Sequence, residues 1–297
     1  MAFTSWCKAQ EPPINLRLHF TKGEAHQMNV TLDQTIGQTI QGRHQETRQT
    51  IGVVYTFAVE DVDAHGVATL SVHYDSVSFH AKTPAGTVDY DSSQPPGMVP
   101  PMASGLAALV GQGYSLKTSP EGKVIQVIGL EDLLKSVLGK LNVPEGPARA
   151  AAEKALRQQI NEQNMRANLQ SIFAPFPDGP VTTGQSWSRK SEVSLGFPLV
   201  IQTTYTLRSH QDGVATVDLT GNSSTAANAI VDLGQMKMTY DLHGSMKGSL
   251  QIAESNGWIQ QSQTDQSLTG NTTIRVPNAP AQVVPITIHS TMSTRRQ

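Results

Sequence analysis

The strongest constraint on the fold is the alternation of apolar and polar residues through the first ninety positions. Leu16, Leu18 and Phe20 would share one face of a strand. Similar period-two patterns recur at residues 25–35, 51–61 and 67–77, and residues 78–82 and 87–90 flank a further hairpin turn. Period two is the spacing of side chains on one face of a strand. The sequence therefore predicts that its first part is an antiparallel β-meander.

Neutral polar residues replace much of the usual charged and apolar content. The 297 residues include 28 Thr, 25 Ser, 25 Gln and 11 Asn, while 38% are hydrophobic and 15% are charged. Threonine suits half-exposed strands, and a surface of neutral amides and hydroxyls is typical of envelope and secreted β proteins. The formal net charge of −2 provides no long-range field that would attract nucleic acid or anionic lipid.

Cysteine usage and hydropathy restrict the class of protein further. The single cysteine, Cys7, excludes an internal disulfide framework and a Cys-rich metal site. No apolar run reaches the length of a transmembrane helix, and residues 1–10 lack the apolar segment of a signal peptide. We expect residues 1–14 to be disordered and no cofactor to be bound. The expected location is the periplasm or outer envelope, with the cytoplasm as the alternative.

The pattern changes to helical spacing in the middle of the chain. Apolar residues at 130, 133, 134, 137, 138 and 141 predict one amphipathic helix. Gly146-Pro147 would open a longer helix, because proline is favoured in a first turn, and Pro175 would end it. Residues 129–179 are therefore predicted to form a helical insert between a first β half (residues 15–128) and a second (residues 180–297).

Three short strings of the first half recur in the same order in the second. They are Lys22-Gly23-Glu24 with Thr183-Gly184-Gln185, Tyr55–Thr69 with Tyr205–Thr216, and Ser115–Gln126 with Ser249–Gln260. Their order indicates an internal duplication, and the alternative is that meanders converge on similar turn strings. The predicted fold class is α+β and mainly antiparallel β. It consists of two curved meander halves whose apolar faces are covered by the helical insert.

Four short strings carry a resemblance to an uncharacterised bacterial family of envelope or lipoprotein-like proteins, a domain of unknown function. They are Leu16–Leu18 with Lys22-Gly23, Tyr55–Val59 leading to Val62-Asp63, Tyr74-Asp75-Ser76, and Asp89-Tyr90-Asp91-Ser92. The resemblance implies no catalytic residues. In architecture alone the predicted fold also looks like periplasmic lipoprotein carriers, which hold acyl chains between a sheet and helices. A shared fold does not fix function.

Histidines and carboxylates offer weak candidates for chemistry. His19, His73 and Asp75 could form a metal cluster if their strands pair, but separate surface side chains are the favoured interpretation. Strict alternation would put His73 and His80 on opposite faces. Asp89 and Asp91 could hold a cation, yet a solvated pair beside a turn is the simpler interpretation.

Two motifs that resemble nucleophile sites are also better explained without catalysis. Gly244-Ser245-Met246-Lys247-Gly248 lies between two apparent strands with no helix after it, so we predict a β-turn rather than a nucleophile elbow. Ser5-Trp6-Cys7-Lys8 lies in the expected disordered segment. The sequence therefore predicts no catalytic residue and no metal site.

The remaining functional lead is a group of apolar residues in the helical segments that could line a cavity. They are Met98, Met102, Leu106, Leu109, Leu134, Val137 and Leu138. Methionine adapts to variable apolar ligands, whereas the competing interpretation is an ordinary core. The leading prediction is a non-catalytic envelope protein that binds or carries an apolar, lipid-like molecule. The alternatives are a structural or interaction module of the envelope and, third, a hydrolase with an unrecognised site.

Overall fold

The described part of the chain folds into thirteen strands and four α-helices in a computed structural model. It comprises residues 12–95, 97–141, 143–173, 176–194, 197–226, 229–232 and 236–297. The first half contains β1 (Ala25–Ile40), β2 (Arg43–Val62), β3 (Ala68–Thr83), β4 (Gly86–Asp91), β5 (Gly113–Thr118) and β6 (Val124–Ile128). The predicted meander is confirmed, with longer strands than the apolar alternation alone marks.

Three helices lie between two sets of strands, as the change of pattern predicts, and a fourth lies within the first set. Helix α1 (Ser104–Leu109) lies between β4 and β5, and α2 (Leu130–Lys140), α3 (Pro147–Gln159) and α4 (Glu162–Ile172) follow β6. The second half contains β7 (Ser186–Ser194), β8 (Pro198–Gln211), β9 (Val214–Thr225), β10 (Ile230–Asp232), β11 (Lys237–Ala253), β12 (Ile259–Arg275) and β13 (Gln282–Arg296).

All thirteen strands belong to one open antiparallel sheet. Its order is β6-β5-β3-β2-β1-β13-β12-β11-β9-β8-β7, with β4 paired to β3 and β10 paired to β11. The two halves meet where β1 pairs with β13, from Met28 opposite Arg296 to Gln38 opposite Ile286. The chain thus builds a single continuous sheet from strands at both ends of its sequence.

One end of the sheet is tightly curled, and we call it the closed end; it carries the β5–β6 turn at residues 119–122 and the β11–β12 turn at residues 254–257. The amide of Leu18 donates to the carbonyl of Pro120 at 2.7 Å, and the next amide, of His19, donates to Asn256 at 3.0 Å. In a flat sheet, strands β5 and β12 would be about 24 Å apart. Two adjacent amides can reach both turns only because the sheet bends around its apolar face.

The curled face encloses the larger apolar cluster, which we call the interior cluster. Its buried members come from both halves of the sheet and from the helices, including Phe57, Leu70, Leu116, Val137, Leu169, Leu207, Val217 and Trp258. Burying side chains of this size contributes about 1.5–3 kcal/mol each. The interior cluster therefore ties the two halves into one folding unit.

A polar row interrupts the apolar face beyond the interior cluster. Gln49 donates to Gln34 at 2.8 Å, and Gln34 donates to Ser290 at 3.1 Å, across strands β2, β1 and β13. Past this row a second apolar cluster contains Leu199, Leu242, Leu268, Ile286 and Ile288. The inner face is thus two apolar regions separated by hydrogen-bonded amides and hydroxyls, which satisfy one another away from bulk water.

The strand predicted at residues 15–21 is wrong. Leu16 and Leu18 are buried as predicted, but the segment crosses the closed end without forming a strand, and the residue before it, Ile14, makes an isolated bridge with Val181. At Gly257 a Cβ would lie 2.0 Å from the carbonyl oxygen of Arg17, and φ is +73°. Only glycine combines that backbone conformation with so close an approach.

Two other predicted boundaries differ from the structure. The β-turn predicted at Gly244–Gly248 is wrong, because both glycines lie within the unbroken strand β11. A Cβ on either would collide with backbone of β12, so these glycines permit strong bending rather than a turn. The long helix predicted after Gly146 is divided into α3 and α4, since Asn161 caps α4 by accepting from the amide of Asn164 at 2.9 Å.

The strings that suggested a duplication occupy corresponding places in the fold. Gly66 and Gly213 sit in the β2–β3 and β8–β9 turns with φ of +78° and +75°. The strands of the first half, in the order β1-β2-β3-β5-β6, and those of the second, in the order β7-β8-β9-β11-β12, also follow one another in the same direction across the sheet. The duplication itself, the cover of both sheet halves by helices, and the domain boundaries stay predictions. Residues 1–11, including Cys7, lie outside the described residues.

Candidate functional site

Helix α4 lies at the gap between the two edge strands of the sheet, β6 and β7, and contacts both. Arg166 of α4 donates through Nη2 to the carbonyl oxygen of Ile125 on β6 at 2.7 Å, and to Glu162 at 2.8 Å. From the other edge, Arg189 of β7 donates to the carbonyl oxygen of Phe176 at 2.7 Å. Side-chain hydrogen bonds therefore hold α4 to β6 and the segment after α4 to β7.

The inner side of α4 belongs to the interior cluster. Met165, Leu169 and the following Phe173 are buried there, and Phe173 packs against Phe57 with ring centroids 5.7 Å apart. Helix α2 adds Leu133 and Val137 to the same cluster. Moving α4 outward would break the bond of Arg166 to β6 but none of the strand pairs of the sheet.

The seven residues predicted to line a cavity all lie within the described chain but do not form one group. Leu134, Val137 and Leu138 are buried, and Leu106 and Leu109 are half-buried. Val137 belongs to the interior cluster, and Leu106 and Leu109 pack against it. Met102 is 56% exposed and Met98 is 94% exposed. The structure thus brings three of the seven together and leaves both methionines on the surface.

Trp258 is the centre of an aromatic group at the closed end. Its indole ring lies 5.8–6.1 Å from Phe20, Phe57 and Phe173, and 4.2 Å from the imidazole of His26. Burial lowers the pKa of His26, and the charge of Arg296 lowers it further, against the opposing effect of Glu24. Sequence periodicity gave no signal for this group, because its members come from five separate segments.

The face of the sheet opposite the core carries a polar hollow of about 830 Å³ centred on the β1–β13 pair. Strands β1, β2, β3, β11, β12 and β13 each supply three consecutive residues, and β4 supplies Thr87 and Asp89. In each triplet the outer two side chains point away from the core. The hollow was missed by sequence reasoning, although polar residues at alternate positions of these strands marked it as a solvated face.

Side chains in the polar hollow are paired in a regular way across neighbouring strands. The hydrogen bonds are Thr50 to Asp33 at 2.6 Å, Thr291 to Asp265 at 2.7 Å, His80 with Asp89 at 2.9 Å, and Ser267 with His289 at 3.1 Å. Three aspartates and the cations Arg48, Lys82 and Lys247 balance its formal charge. This surface suits a polar or water-rich contact and not an apolar ligand.

The motifs considered for catalysis or metal binding do not assemble into a site. Among the described residues no three His, Cys, Asp or Glu side chains are grouped as metal ligands would be. Asp75 instead accepts from Gln27 at 3.0 Å and Thr56 at 2.6 Å. The register of β2 and β3 shifts at Asp75, so His73 and His80 are both exposed on one face and the strict alternation prediction is wrong.

Asp89 and Asp91 likewise have ordinary structural partners. Asp89 pairs with His80, and Asp91 accepts from the amide and hydroxyl of Ser93 at 2.8 and 2.7 Å. Those hydrogen bonds lower the pKa of the Asp91 carboxyl. The described helices include none with the length and apolar character needed to cross a membrane.

The four short sequence strings suggested a relationship to a family of unknown function, and comparison with known families tests it. A family model of unknown function, DUF6263, matches residues 65–259. The chain belongs to this family. The match runs from the turn before β3 to the start of β12 and includes the four described helices. The resemblance to a domain of unknown function is confirmed. No curated protein sequence is significantly similar to the chain.

Among solved structures, lipovitellin has a similar fold. The similarity covers 94% of this chain with a TM-score of 0.50 and 10% sequence identity, but the chain spans only 25% of the lipovitellin chain. Two Pseudomonas aeruginosa proteins, OccK5 (OpdH) and OccK2 (OpdF), are 8% and 6% identical over 92% and 93% of this chain. They are covered over 98% and 99% of their own length, with TM-scores of only 0.21 and 0.23.

Proposed function

We propose that the chain is a non-catalytic binding protein of the cell envelope that holds an apolar, lipid-like molecule between its curved sheet and helices α2 and α4. The observation that carries this proposal is the position of α4 across the two unpaired edges of the sheet. Beneath it lies the interior cluster, the largest apolar region of the fold. Ligand sites favour such places, where an apolar space can open between elements without breaking a sheet.

Similarity of fold adds support from a second direction. Lipovitellin, whose structure is described in terms of lipid–protein interactions, shares the fold over almost the whole of this chain. The neutral polar composition and the resemblance to envelope proteins support the location. Helical cover of the sheet is part of the proposal: α2 and α4 act together as a flap, with Arg166 as its attachment to β6.

The attachment can be tested with a matched pair of arginines. Arg166 and Arg149 each pair with the glutamate four residues earlier. Arg166 also bonds to edge-strand backbone, whereas Arg149 bonds to the carbonyl of Val143 in the loop before its own helix. We expect Arg166→Gln to accelerate uptake of a neutral pyrene-labelled decanol several-fold, because an ionic hydrogen bond of about 1.5–3 kcal/mol is lost. Arg149→Gln should leave uptake unchanged. Failure of the unmodified protein to bind the probe, with no lipid seen by native mass spectrometry, would overturn the proposal.

An interaction module of the envelope is the second candidate, favoured by one observation. Three apolar side chains close together in sequence are exposed: Met98 by 94%, Val99 by 40% and Met102 by 56%. Clustered exposed apolar side chains often mark protein contacts. If this candidate is correct, a Met98→Ser/Met102→Ser double variant loses cross-linking to a specific envelope protein while probe binding is absent from both forms. Unchanged cross-linking in the double variant contradicts it.

A further inference from the structure

Six side-chain atoms at the closed end are buried and have no hydrogen-bond partner among the described residues. Nε of Arg17, Oγ of Ser119 and Oε1 of Glu254 belong to the crossing segment and the two turns, and the other three are Nε1 of Trp258, Nε2 of His26 and Nη1 of Arg296. Trp258 is only 2% exposed, and its indole nitrogen can act solely as a donor. A buried donor without an acceptor costs about 1–3 kcal/mol. The indole N–H and the Arg296 nitrogen, with His26 Nε2 in its protonated tautomer, therefore indicate a place for an acceptor that the described residues do not provide.

The three residues are neighbours on the inner face of adjacent strands. His26 is on β1, Arg296 is near the end of β13 where it pairs with Met28, and Trp258 immediately precedes β12. The imidazole and indole rings are 4.2 Å apart. Arg296 is close enough for its charge to lower the pKa of His26. The geometry brings two neutral donors beside one permanent positive charge.

Glu24, the carboxylate beside His26, does not form a hydrogen bond with its Nε2. Glu24 Oε2 is 3.6 Å from His26 Nε2, beyond hydrogen-bond distance, and the Glu24 side chain is 44% exposed. The rest of the surroundings is apolar, since Phe57 and Phe173 pack on Trp258. The missing acceptor would therefore be a small anionic group with an apolar chain attached.

We infer that the ligand is a carboxylate-bearing amphiphile of the fatty-acid class, with its carboxylate held by Arg296, Trp258 and His26. This inference rests on the proposed function and specifies its ligand. The aliphatic chain occupies the space under α4, because Phe173 at the end of that helix contacts Trp258. When α4 moves outward, Phe173 withdraws from the indole, and the carboxylate takes the position that this opens beside the three nitrogens. Charge-assisted hydrogen bonds of this kind are the strong ones in proteins.

Chain-matched ligands separate the head-group contribution from the apolar one. Decanoate and 1-decanol would compete with the neutral pyrene probe, below their aggregation concentrations and at neutral pH. We expect decanoate to bind at least about tenfold more tightly than 1-decanol, because one charge-assisted hydrogen bond exceeds the 1.4 kcal/mol that tenfold requires. If decanol binds as tightly as decanoate, the inference is overturned while the proposed function stands. If the pyrene probe does not bind and neither decanoate nor 1-decanol binds, the proposed function itself is overturned.

Two adjacent arginines provide the variant and its control. Arg296→Gln should reduce the preference for decanoate to about unity and leave decanol affinity unchanged, since only the head-group contact is lost. Arg295 is exposed and points to the other face, so Arg295→Gln removes the same charge from the chain and should keep the preference. Equal loss of both ligands in Arg296→Gln, with an unaltered far-UV spectrum, would indicate a structural role and overturn the inference. If Arg296→Gln does not fold, the selectivity of the unmodified protein still decides.

Discussion

At the scale of single residues, the tyrosines of the interior give the clearest dependence on pH. Burial raises the pKa of Tyr74 to about 12 and raises that of Tyr114 well above its ordinary value. Their rings are 6.2 Å apart and they are 7% and 6% exposed. Unfolded tyrosines lose their protons near pH 10. The folded state keeps these protons longer, so its full stability is present below pH 10 and is lost as pH rises towards 12.

This predicts that Tyr114→Phe changes sign in its effect on stability. Near pH 8 the variant should be about 1 kcal/mol less stable, because the hydrogen bond between Tyr114 and Tyr74 is lost. Above pH 10, Tyr114 of the unmodified protein ionises in the unfolded state, which lowers the free energy of unfolding by about 1.4 kcal/mol for each pH unit. Phenylalanine cannot ionise, so the variant does not lose this stability. The variant should become the more stable protein near pH 11. Urea unfolding at pH 8, 10 and 11.5 measures this, and a constant difference between the proteins would contradict it.

Residue patterns predicted the strand to which a side chain belongs, but they did not predict which distant segments meet. The alternation of Met28 with polar neighbours predicted β1 correctly. Nothing in the local sequence placed His26, Trp258 and Arg296 together, because their proximity depends on β13 returning to pair with β1. The same holds for the polar hollow, whose Asp33 and Asp265 lie far apart in sequence.

At the scale of elements, the segment at residues 14–19 shows why periodicity alone can mislead. Leu16 and Leu18 alternate with polar residues as a strand would, and both are buried. The amides of Leu18 and His19, however, bond to turns from two separate hairpins rather than to a neighbouring strand. An extended chain that crosses the end of a curled sheet has the same period of two as a strand within it. Only the curvature of the sheet distinguishes the two arrangements, and the sequence does not encode it locally.

The same segment predicts a measurable contrast between neighbouring residues. Leu18 is 2% exposed in the interior cluster, so Leu18→Ala should lower the free energy of unfolding by about 2–5 kcal/mol. Arg17 makes an ion pair with Glu121 at 2.9 Å, with side chains 35% and 49% exposed, and Arg17→Ala should cost less than about 1 kcal/mol. Urea denaturation compares the two. Equal costs would mean that the segment is not part of the core.

The prediction of the helix boundaries was wrong for a different reason. Apolar spacing continues through Ile160 without a break, so the pattern predicted one helix where α3 and α4 form. The interruption comes from Asn161, whose side chain caps α4 better than it would serve inside a helix. This break lets α4 turn towards β6 and β7 while α3 stays with α2 through the ion pair of Arg157 with Glu131. The proposed flap therefore depends on one capping residue that periodicity overlooks.

At the scale of the whole molecule, the strand order makes each half incomplete without the other. β13 lies between β1 and β12 and pairs with both, and the interior cluster combines Leu70 from the first half with Leu207 and Trp258 from the second. Sequence similarity between the halves suggested two curved units. The seam that joins them could not be inferred, since strand pairing between the ends of a chain leaves no local signal.

This continuity predicts that a destabilising substitution in one half lowers the stability of both halves equally. Leu70→Ala in the first half should lower the free energy of unfolding by about 2–5 kcal/mol. Trp258 packs on Phe20, His26 and Phe57 of the first half, so the comparison uses a Trp6→Phe/Trp258→Phe background. The remaining tryptophan, Trp187, stacks on Tyr205 within the second half, and its fluorescence reports on the half that was not altered. Because the seam and the interior cluster couple the halves, the urea midpoint should shift by the same amount in fluorescence and in far-UV circular dichroism. A fluorescence midpoint that stays fixed while the circular dichroism midpoint moves would mean that the halves unfold separately. The space under α4, which needs residues from both halves, would then open whenever either half unfolds.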